Sequence, residues 1–132
     1  MPQVSLLAAL VATVLSFVLG GIWYGPLFAK AWMEENKFTS DGLKRNFNPV
    51  RLYGTTFVIA ALASYVFGMF LGPDPDLLFA VGAGLAAGVF WVAGSFATSY
   101  LFEGKTMRHF LINAGYHVVQ FGLIGLSFGL LG

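Results

Sequence analysis

Cysteine is absent from this chain of 132 residues, and charged residues are scarce. Without cysteine, the chain forms no disulfide, uses no thiolate nucleophile and holds no cysteine-ligated metal. Only 10% of the residues are charged and the formal net charge is +1, a near-neutral balance that gives no reason to expect binding of nucleic acid. A water-soluble domain carries about 25% charged residues, so this scarcity also argues against a soluble protein.

The residues that are present are mainly apolar: 58% are hydrophobic, and the mean hydropathy is +0.78. Asp, Glu, Lys and Arg are missing from residues 1–29, 52–73, 77–102 and 109–132. Each stretch has at least the roughly 20 residues that a helix needs to cross about 30 Å of hydrocarbon. The sequence therefore predicts an all-α integral membrane protein, a single four-helix domain in contact with the lipid bilayer, with two antiparallel hairpins. The predicted helices cover about 3–33, 49–72, 75–102 and 107–131.

The distribution of charge between the predicted helices indicates an orientation. The basic residues flank or occupy the first and third connections, whereas the second connection has only Asp74 and Asp76, and the termini have no basic side chain. By the positive-inside rule, connections 1 and 3 are cytoplasmic, and connection 2 and both termini lie outside a bacterial inner membrane. Met1 to Leu10 lacks the basic segment of a cleavable signal peptide, so the first helix is expected to remain. Thr39-Ser40-Asp41 could cap a short surface helix in connection 1.

The fourth predicted helix has two distinct faces. At 100° per residue its strongly polar side chains share one arc of about 100°: His109, Asn113, Tyr116, His117, Gln120 and Ser127. The glycines lie on the opposite side: Gly115, Gly122, Gly125 and Gly129. An amide or imidazole facing acyl chains would cost several kcal/mol, so the polar face predicts a seam inside the bundle. The glycine face predicts close approach of a neighbouring helix, in this chain or in a second subunit.

The depth of the polar residues places this seam near the bilayer centre. At about 1.5 Å per residue from Arg108, His117 lies about 13 Å deep and Gln120 about 18 Å deep. Helix 3 contributes Gly84, Gly88, Ser95 and Ser99 on one face. The candidate ligand-binding or relay residues are Trp23, Tyr24, Ser95, Asn113, Tyr116, His117 and Gln120. The candidate residues for helix packing or oligomerisation are Gly84, Gly88, Gly122, Gly125 and Gly129.

The stretch GGIWYGPLFAKAW, residues 20–32, ends the first helix. Pro26 removes a backbone hydrogen bond to Ile22, so the helix is expected to kink there and to continue to about Met33. Trp32 suits an aromatic anchor at the interface. Trp23 and Tyr24 lie deeper, and either an anchoring role or a share in the polar seam fits them.

Cofactor and enzyme chemistry find little support. His109 and His117 are eight residues apart on one helix, about 12 Å along its axis, so they cannot ligate one haem iron from opposite sides. Haem would need His117 from two subunits. No carboxylate lies in any of the four charge-free stretches to complete a metal site or to orient a base beside Ser95 or Ser99. The sequence predicts no cofactor, no metal and no catalytic residue, and it favours a protein that is not an enzyme.

Two motifs resemble a known family. G-x-x-W-Y-G-P-L-F-x-K-x-W ends the first helix, and N-A-G-Y-H-V-V-Q-F-G lies in the fourth. Together they resemble the bacterial family catalogued as domain of unknown function 1761, small four-helix membrane proteins, over essentially the whole chain. The resemblance implies no activity, cofactor or substrate. It implies that the following positions belong to the family signature: Trp23, Tyr24, Pro26, Trp32, Asn113, Tyr116, His117 and Gln120.

Two functions remain open from the sequence. In the first, the chain binds or translocates a small solute, a proton or a lipid-like molecule in a seam between helices 1, 3 and 4, as a homodimer formed through the glycine faces of helix 3 or 4. In the second, it is a structural or accessory subunit of a membrane complex, and the same polar residues only fix how the helices pack.

Overall fold

A computed structural model describes residues 4–37, 39 and 48–132. All the regular structure in these residues is helical, and four helical stretches are long and apolar enough to cross a membrane, which confirms an all-α membrane protein. The helices are α1 (Leu6–Ile22), α2 (Ala29–Asn36), α3 (Pro49–Leu71), α4 (Leu77–Ala86), α5 (Gly94–Glu103) and α6 (Met107–Leu131), and π-helical segments cover Trp23–Leu27 and Ala87–Ala93. The spans are Leu6–Leu27, Pro49–Leu71, Leu77–Glu103 and Met107–Leu131. The surface helix predicted after Thr39 falls outside the described residues.

Each span begins at a polar side chain that accepts a hydrogen bond from a backbone N–H in the first helical turn. These capping residues are Ser5, Asn48, Asp76 and Thr106. The third span begins at Leu77 because the Asp76 carboxylate accepts the Phe79 N–H, at 3.1 Å. Capping satisfies donors that would otherwise lack a partner at the helix end.

The spans form a bundle in which α6 is central. It packs against α1 on one side and against the third span on the other, while α3 packs mainly against α1. Ser5 near the start of α1 donates to the Leu131 carbonyl at the end of α6, so these two helices are antiparallel. The core between them combines alanines with one branched and one aromatic side chain: Ala8, Ala9, Ala12, Ile124 and Phe128.

The second and third spans, although joined by a short connection, line an apolar groove of about 360 Å³. Phe67 and Leu71 of α3 line one side, and Phe79, Phe90 and Trp91 of the third span line the other. Phe90 and Trp91 are three-quarters exposed, so this groove opens onto the outer surface of the bundle. It lies away from the polar face of α6.

Glycines bring the backbones of α4 and α6 into direct contact. A methyl group added at Gly84 would overlap the carbonyl of Phe121, and one added at Gly125 would overlap the carbonyl of Ala80. A methyl group added at Gly88 would lie 2.8 Å from the Cα of Val118. Gly122 and Gly129 likewise face Leu85 and Leu77 of α4.

These glycine contacts are all within one chain. The glycine faces of helices 3 and 4 thus contact each other within the chain, the first of the two alternatives for these glycines, and a homodimer would need a different surface. Small residues allow the close helix approach that drives association in lipid, and α4 with α6 uses this approach internally.

The helical conformation of the first span is interrupted at Gly25, which has φ −100° and ψ −107°. Pro26 follows it, and the Phe28 N–H bonds to the Trp23 carbonyl in the wide π-helical pattern. Beyond this break, α2 runs to Asn36 and ends at Lys37, which adopts a left-handed conformation with φ 57°.

The N-terminal end of α6 holds α2 in place. Arg108 lies 3.3 Å from carboxylate oxygens of both Glu34 and Glu35, and the Thr106 hydroxyl donates to Glu35. The Glu35 side chain is 13% exposed whereas that of Glu34 is half exposed, so the Glu35 contact is the better shielded from solvent.

Candidate functional site

The first π-helical segment places two aromatic side chains against α6. The indole Nε1 of Trp23 donates to the Ile112 carbonyl at 2.8 Å, and the Tyr24 hydroxyl donates to Oδ1 of Asn113 at 2.8 Å. Gly115 makes room for the indole, because a methyl group there would lie 3.0 Å from its Cζ2 atom. Trp23 and Tyr24 therefore take part in the seam with α6.

Asn113 connects the first span to the third. While Oδ1 accepts from Tyr24, Nδ2 donates to the hydroxyl of Tyr100 on α5, at 2.7 Å. The resulting chain of hydrogen bonds, from Tyr24 through Asn113 to Tyr100, crosses the face of α6. All three side chains are partly buried.

Tyr116 and His117 extend the polar face toward the middle of the span Met107–Leu131. The Tyr116 hydroxyl donates to the Ser16 carbonyl of α1 at 3.0 Å. His117 is hydrogen-bonded through Nδ1 to Oε1 of Gln120, at 2.8 Å. Its ring is stacked on Phe96, with centroids 5.4 Å apart, and the Tyr116 ring meets it edge-on at 4.9 Å. Within the described residues, Nε2 of His117 has no hydrogen-bond partner.

Ser95 lies outside this network, contrary to the sequence prediction. It is exposed, and its hydroxyl donates at 2.7 Å to the Trp91 carbonyl of its own helix. The reason is the π-helical segment Ala87–Ala93. A π-helical turn inserts an extra residue, and one residue corresponds to about 100° of rotation. The face that carries Gly84 and Gly88 therefore continues through Phe96 and Tyr100, one residue after the predicted positions Ser95 and Ser99.

Tyr100 is the network residue that the sequence prediction missed. One signal could have found it: Tyr100 precedes Lys105 by five residues and Asn113 follows Arg108 by five, so the two lie at a similar depth in neighbouring helices. Tyr100 also meets the buried His109 ring edge-on at 5.1 Å. His109 thus belongs to the aromatic packing at the end of the seam.

The second π-helical segment also marks a change in packing along α6. Before it, α4 packs closely through its glycines; after it, α5 makes few backbone contacts with α6. The rings of Phe96 and Tyr100 bridge the wider gap to His117 and Asn113. Both π-helical segments thus adjoin the polar face of α6, the first near Asn113 and the second near His117.

The chemistry available at this site is neutral hydrogen bonding. Its side chains are amides, hydroxyls, an indole and an imidazole. The spans that carry them contain Asp, Glu, Lys or Arg only at their ends. Among the described residues, no three His, Asp or Glu side chains come together as metal ligands. Such groups are suited to binding or orienting a neutral ligand through hydrogen bonds.

The fold and the site together define a small four-span membrane protein with a neutral polar seam along its central helix. The sequence matches the model of a family described as protein of unknown function (DUF1761) over residues 7–129, nearly the whole chain. The chain belongs to that family, as the motifs in the first and fourth helices predicted. No curated protein and no solved structure matches it.

Proposed function

We propose that this chain binds or translocates a small solute, a proton or a lipid-like molecule in the polar seam between the first, third and fourth spans. The observation that carries the proposal is the imidazole of His117, inside the apolar span Met107–Leu131, with Nδ1 bonded to Gln120 and Nε2 unpartnered among the described residues. An ionisable side chain at this depth is costly and is retained most often for a function.

The surroundings of His117 support this proposal. Two π-helical segments adjoin the polar face of α6, and such segments occur often at functional sites. Aromatic rings fill the gap beside His117 where α5 diverges from α6, so a ring rotation would open space there without separating the glycine contacts of α4. Four short helices enclose little volume, and a second copy of the chain, bound through the exposed surface, would complete the wall of a pathway.

A second candidate is a structural or accessory subunit. The observation that favours it is that Trp23, Tyr24, Asn113 and Tyr116 direct their hydrogen bonds to partners in the same chain. Hydrogen bonds of this kind between membrane helices fix packing without any ligand. The two candidates differ in the role of His117: in the first it is needed for binding or flux, and in the second it contributes only to the stability of the bundle.

A flux measurement separates the two candidates. The purified chain is reconstituted into lipid vesicles, and the fluxes of protons and of glycerol are followed. Flux of at least one of these probes is expected to exceed that of empty vesicles and to fall about ten-fold in His117→Ala. Ser95→Ala, which changes an exposed side chain outside the network, is the matched control and is expected to match wild type. Fluxes unchanged in the double variant His117→Ala, Asn113→Ala contradict the proposal, and chemical cross-linking that yields only monomer removes the homodimer.

We also propose the orientation, with the third connection in the cytoplasm and the second outside a bacterial inner membrane. The absence of cysteine allows a direct test with single cysteines at Asp76 and Lys105. In intact cells a membrane-impermeant thiol reagent is expected to label Asp76→Cys and to leave Lys105→Cys unlabelled until the membrane is opened. Labelling in the reverse order contradicts this orientation.

A further inference from the structure

The apolar groove between α3 and the third span is too small to hold a protein helix. Its volume is about 360 Å³, whereas one turn of an α-helix with its side chains, ~10 Å across and ~5.4 Å long, occupies roughly 420 Å³. The two spans that border the groove are consecutive in sequence, yet they pack mainly on α1 and on α6 and not closely on each other. A slender molecule therefore fits between them, and a helix from a second copy of the chain does not.

The lining of the groove is apolar over the depth of one bilayer leaflet. On the third span it begins at Phe79, close to the second connection, and reaches Trp91, near the middle of the span Leu77–Glu103. These two residues are about 18 Å apart along the helix axis, and half of a hydrocarbon core is about 15 Å thick. Because the groove opens onto the outer surface of the bundle, an acyl chain of the leaflet at this end can lie in it.

The connection at one end of the groove carries negative charge only. Residues 72–76 read GPDPD, and no Lys or Arg lies between residues 52 and 102. The Asp76 carboxylate lies beside the lining residue Phe79, whose backbone N–H donates to Oδ2 at 3.1 Å. Among the described residues, Oδ1 of Asp76 has no hydrogen-bond partner and the carboxylate has no ion pair. A cationic donor attached to an acyl chain in the groove would therefore meet a free carboxylate oxygen.

The same charge argues against self-association through this groove. Two copies with their grooves face to face, related by a two-fold axis along the membrane normal, would bring their second connections together. Asp74 and Asp76 of both copies would then lie close to one another with no basic side chain of that connection between them. Juxtaposed like charges disfavour such an interface. The charge thus favours a cationic lipid headgroup over a second copy as the partner of this surface.

We propose that the groove binds a phospholipid with an ammonium headgroup, the chemistry of phosphatidylethanolamine. Its acyl chain lies along residues 79–91, and an ammonium N–H donates to Oδ1 of Asp76. A hydrogen bond between an ammonium and a carboxylate is charge-assisted and roughly twice as strong as a neutral one. Phosphatidylcholine lacks the N–H and phosphatidylglycerol lacks the cation, so neither forms this bond. The groove lies away from the polar seam, and the inference is independent of the proposed function.

Quenching of Trp91 fluorescence by brominated lipids tests the proposal. The full chain is reconstituted into phosphatidylcholine vesicles with increasing fractions of phosphatidylethanolamine, phosphatidylglycerol or phosphatidylcholine brominated on the acyl chains. Trp91→Phe, measured in parallel, separates the signal of Trp91 from those of Trp23 and Trp32. Half-maximal quenching is expected at an about five-fold lower fraction of brominated phosphatidylethanolamine than of either other lipid. This comparison needs no change to the groove or to the second connection.

Two pairs of variants locate the effect. Asp76→Asn keeps the helix cap, because asparagine caps as well as aspartate, and removes the charge, so the preference for phosphatidylethanolamine is expected to disappear. Glu103→Gln removes an exposed carboxylate at the other end of the same span and is expected to retain the preference. Ala86→Phe fills the groove and is expected to abolish the preference. Val89→Phe changes an exposed residue outside the lining and is expected to retain it.

Three results overturn the proposal. Equal quenching of the unaltered chain by the three brominated lipids means that acyl chains touch Trp91 without any selection of a headgroup. A preference that survives Asp76→Asn means that the ammonium is not held at this carboxylate. A Trp91 that no brominated lipid quenches means that the groove is closed to acyl chains, and cross-linking then shows whether a second copy covers it. The flux measurement with His117→Ala is separate from all three results.

Discussion

Gly84→Ala is expected to lower the free energy of unfolding by about 3 kcal/mol, the upper part of the usual range for overpacking a well-packed interior. The new methyl group would overlap the backbone carbonyl of Phe121, which cannot rotate away as a side-chain tip could. The helices α4 and α6 would have to separate, and the neighbouring contacts of Gly125 and Gly88 would loosen with them. Unfolding of the detergent-solubilised chain by SDS titration measures the loss.

Gly82→Ala is the matched control for this substitution. Gly82 lies two residues earlier in the same helix, and a methyl group there meets nothing within 4 Å. This exposed helical position is expected to tolerate alanine with no loss of stability, or with a gain of up to about 1 kcal/mol, because alanine favours the helix over glycine. Equal effects at Gly82 and Gly84 would contradict the close backbone contact.

Gly125→Leu, which would place a larger side chain against the Ala80 carbonyl, is expected to prevent the native packing of α4 on α6.

The membrane-spanning stretches and the two faces of α6 could be predicted from the sequence alone. Charge-free stretches of about 20 residues have one stable solution in a bilayer, because every backbone group must be hydrogen-bonded within the helix. The positions of Asn113, Tyr116, His117 and Gln120 on one face followed from helical periodicity. The structure brings Tyr24 to that face, whereas Trp23 lies beside it, against Ile112 and Gly115. Which helix the glycine face would meet did not follow, since close approach can occur within a chain or between chains.

Helical periodicity failed where the helix departs from 3.6 residues per turn. The predicted face of the third span is correct at Gly84 and Gly88 and moves to the neighbouring residues beyond Ala87–Ala93, so Ser95 was predicted where Phe96 lies. No residue in that segment is a proline, so the usual sequence signal for an irregular helix is missing. In the first span Gly25 and Pro26 provide that signal, and the irregular segment there includes both.

Asn113→Leu is expected to lower the free energy of unfolding by about 2 kcal/mol, from two hydrogen bonds between membrane helices of up to about 1.7 kcal/mol each. Leucine has the same number and branching of side-chain heavy atoms as asparagine, so the change removes the polar contacts while it keeps a side chain of similar shape. It leaves the Tyr24 hydroxyl without its acceptor and the Tyr100 hydroxyl without its donor. Ser95→Ala removes a hydrogen bond within one helix on the exposed surface, and it is expected to change stability by less than about 0.5 kcal/mol.

A double-mutant cycle shows whether Asn113 acts through the hydrogen bond that it accepts. Tyr24→Phe alone is expected to cost about 1 kcal/mol, and in the Asn113→Leu background it is expected to cost almost nothing, because the acceptor has already gone. The same SDS titration measures all four proteins. An equal cost of Tyr24→Phe in both backgrounds would mean that the hydroxyl is stabilised elsewhere. The expected coupling would instead establish that Asn113 joins the first and third spans across α6, and so determines the width of the gap in which His117 and the rings of Phe96 and Tyr100 lie.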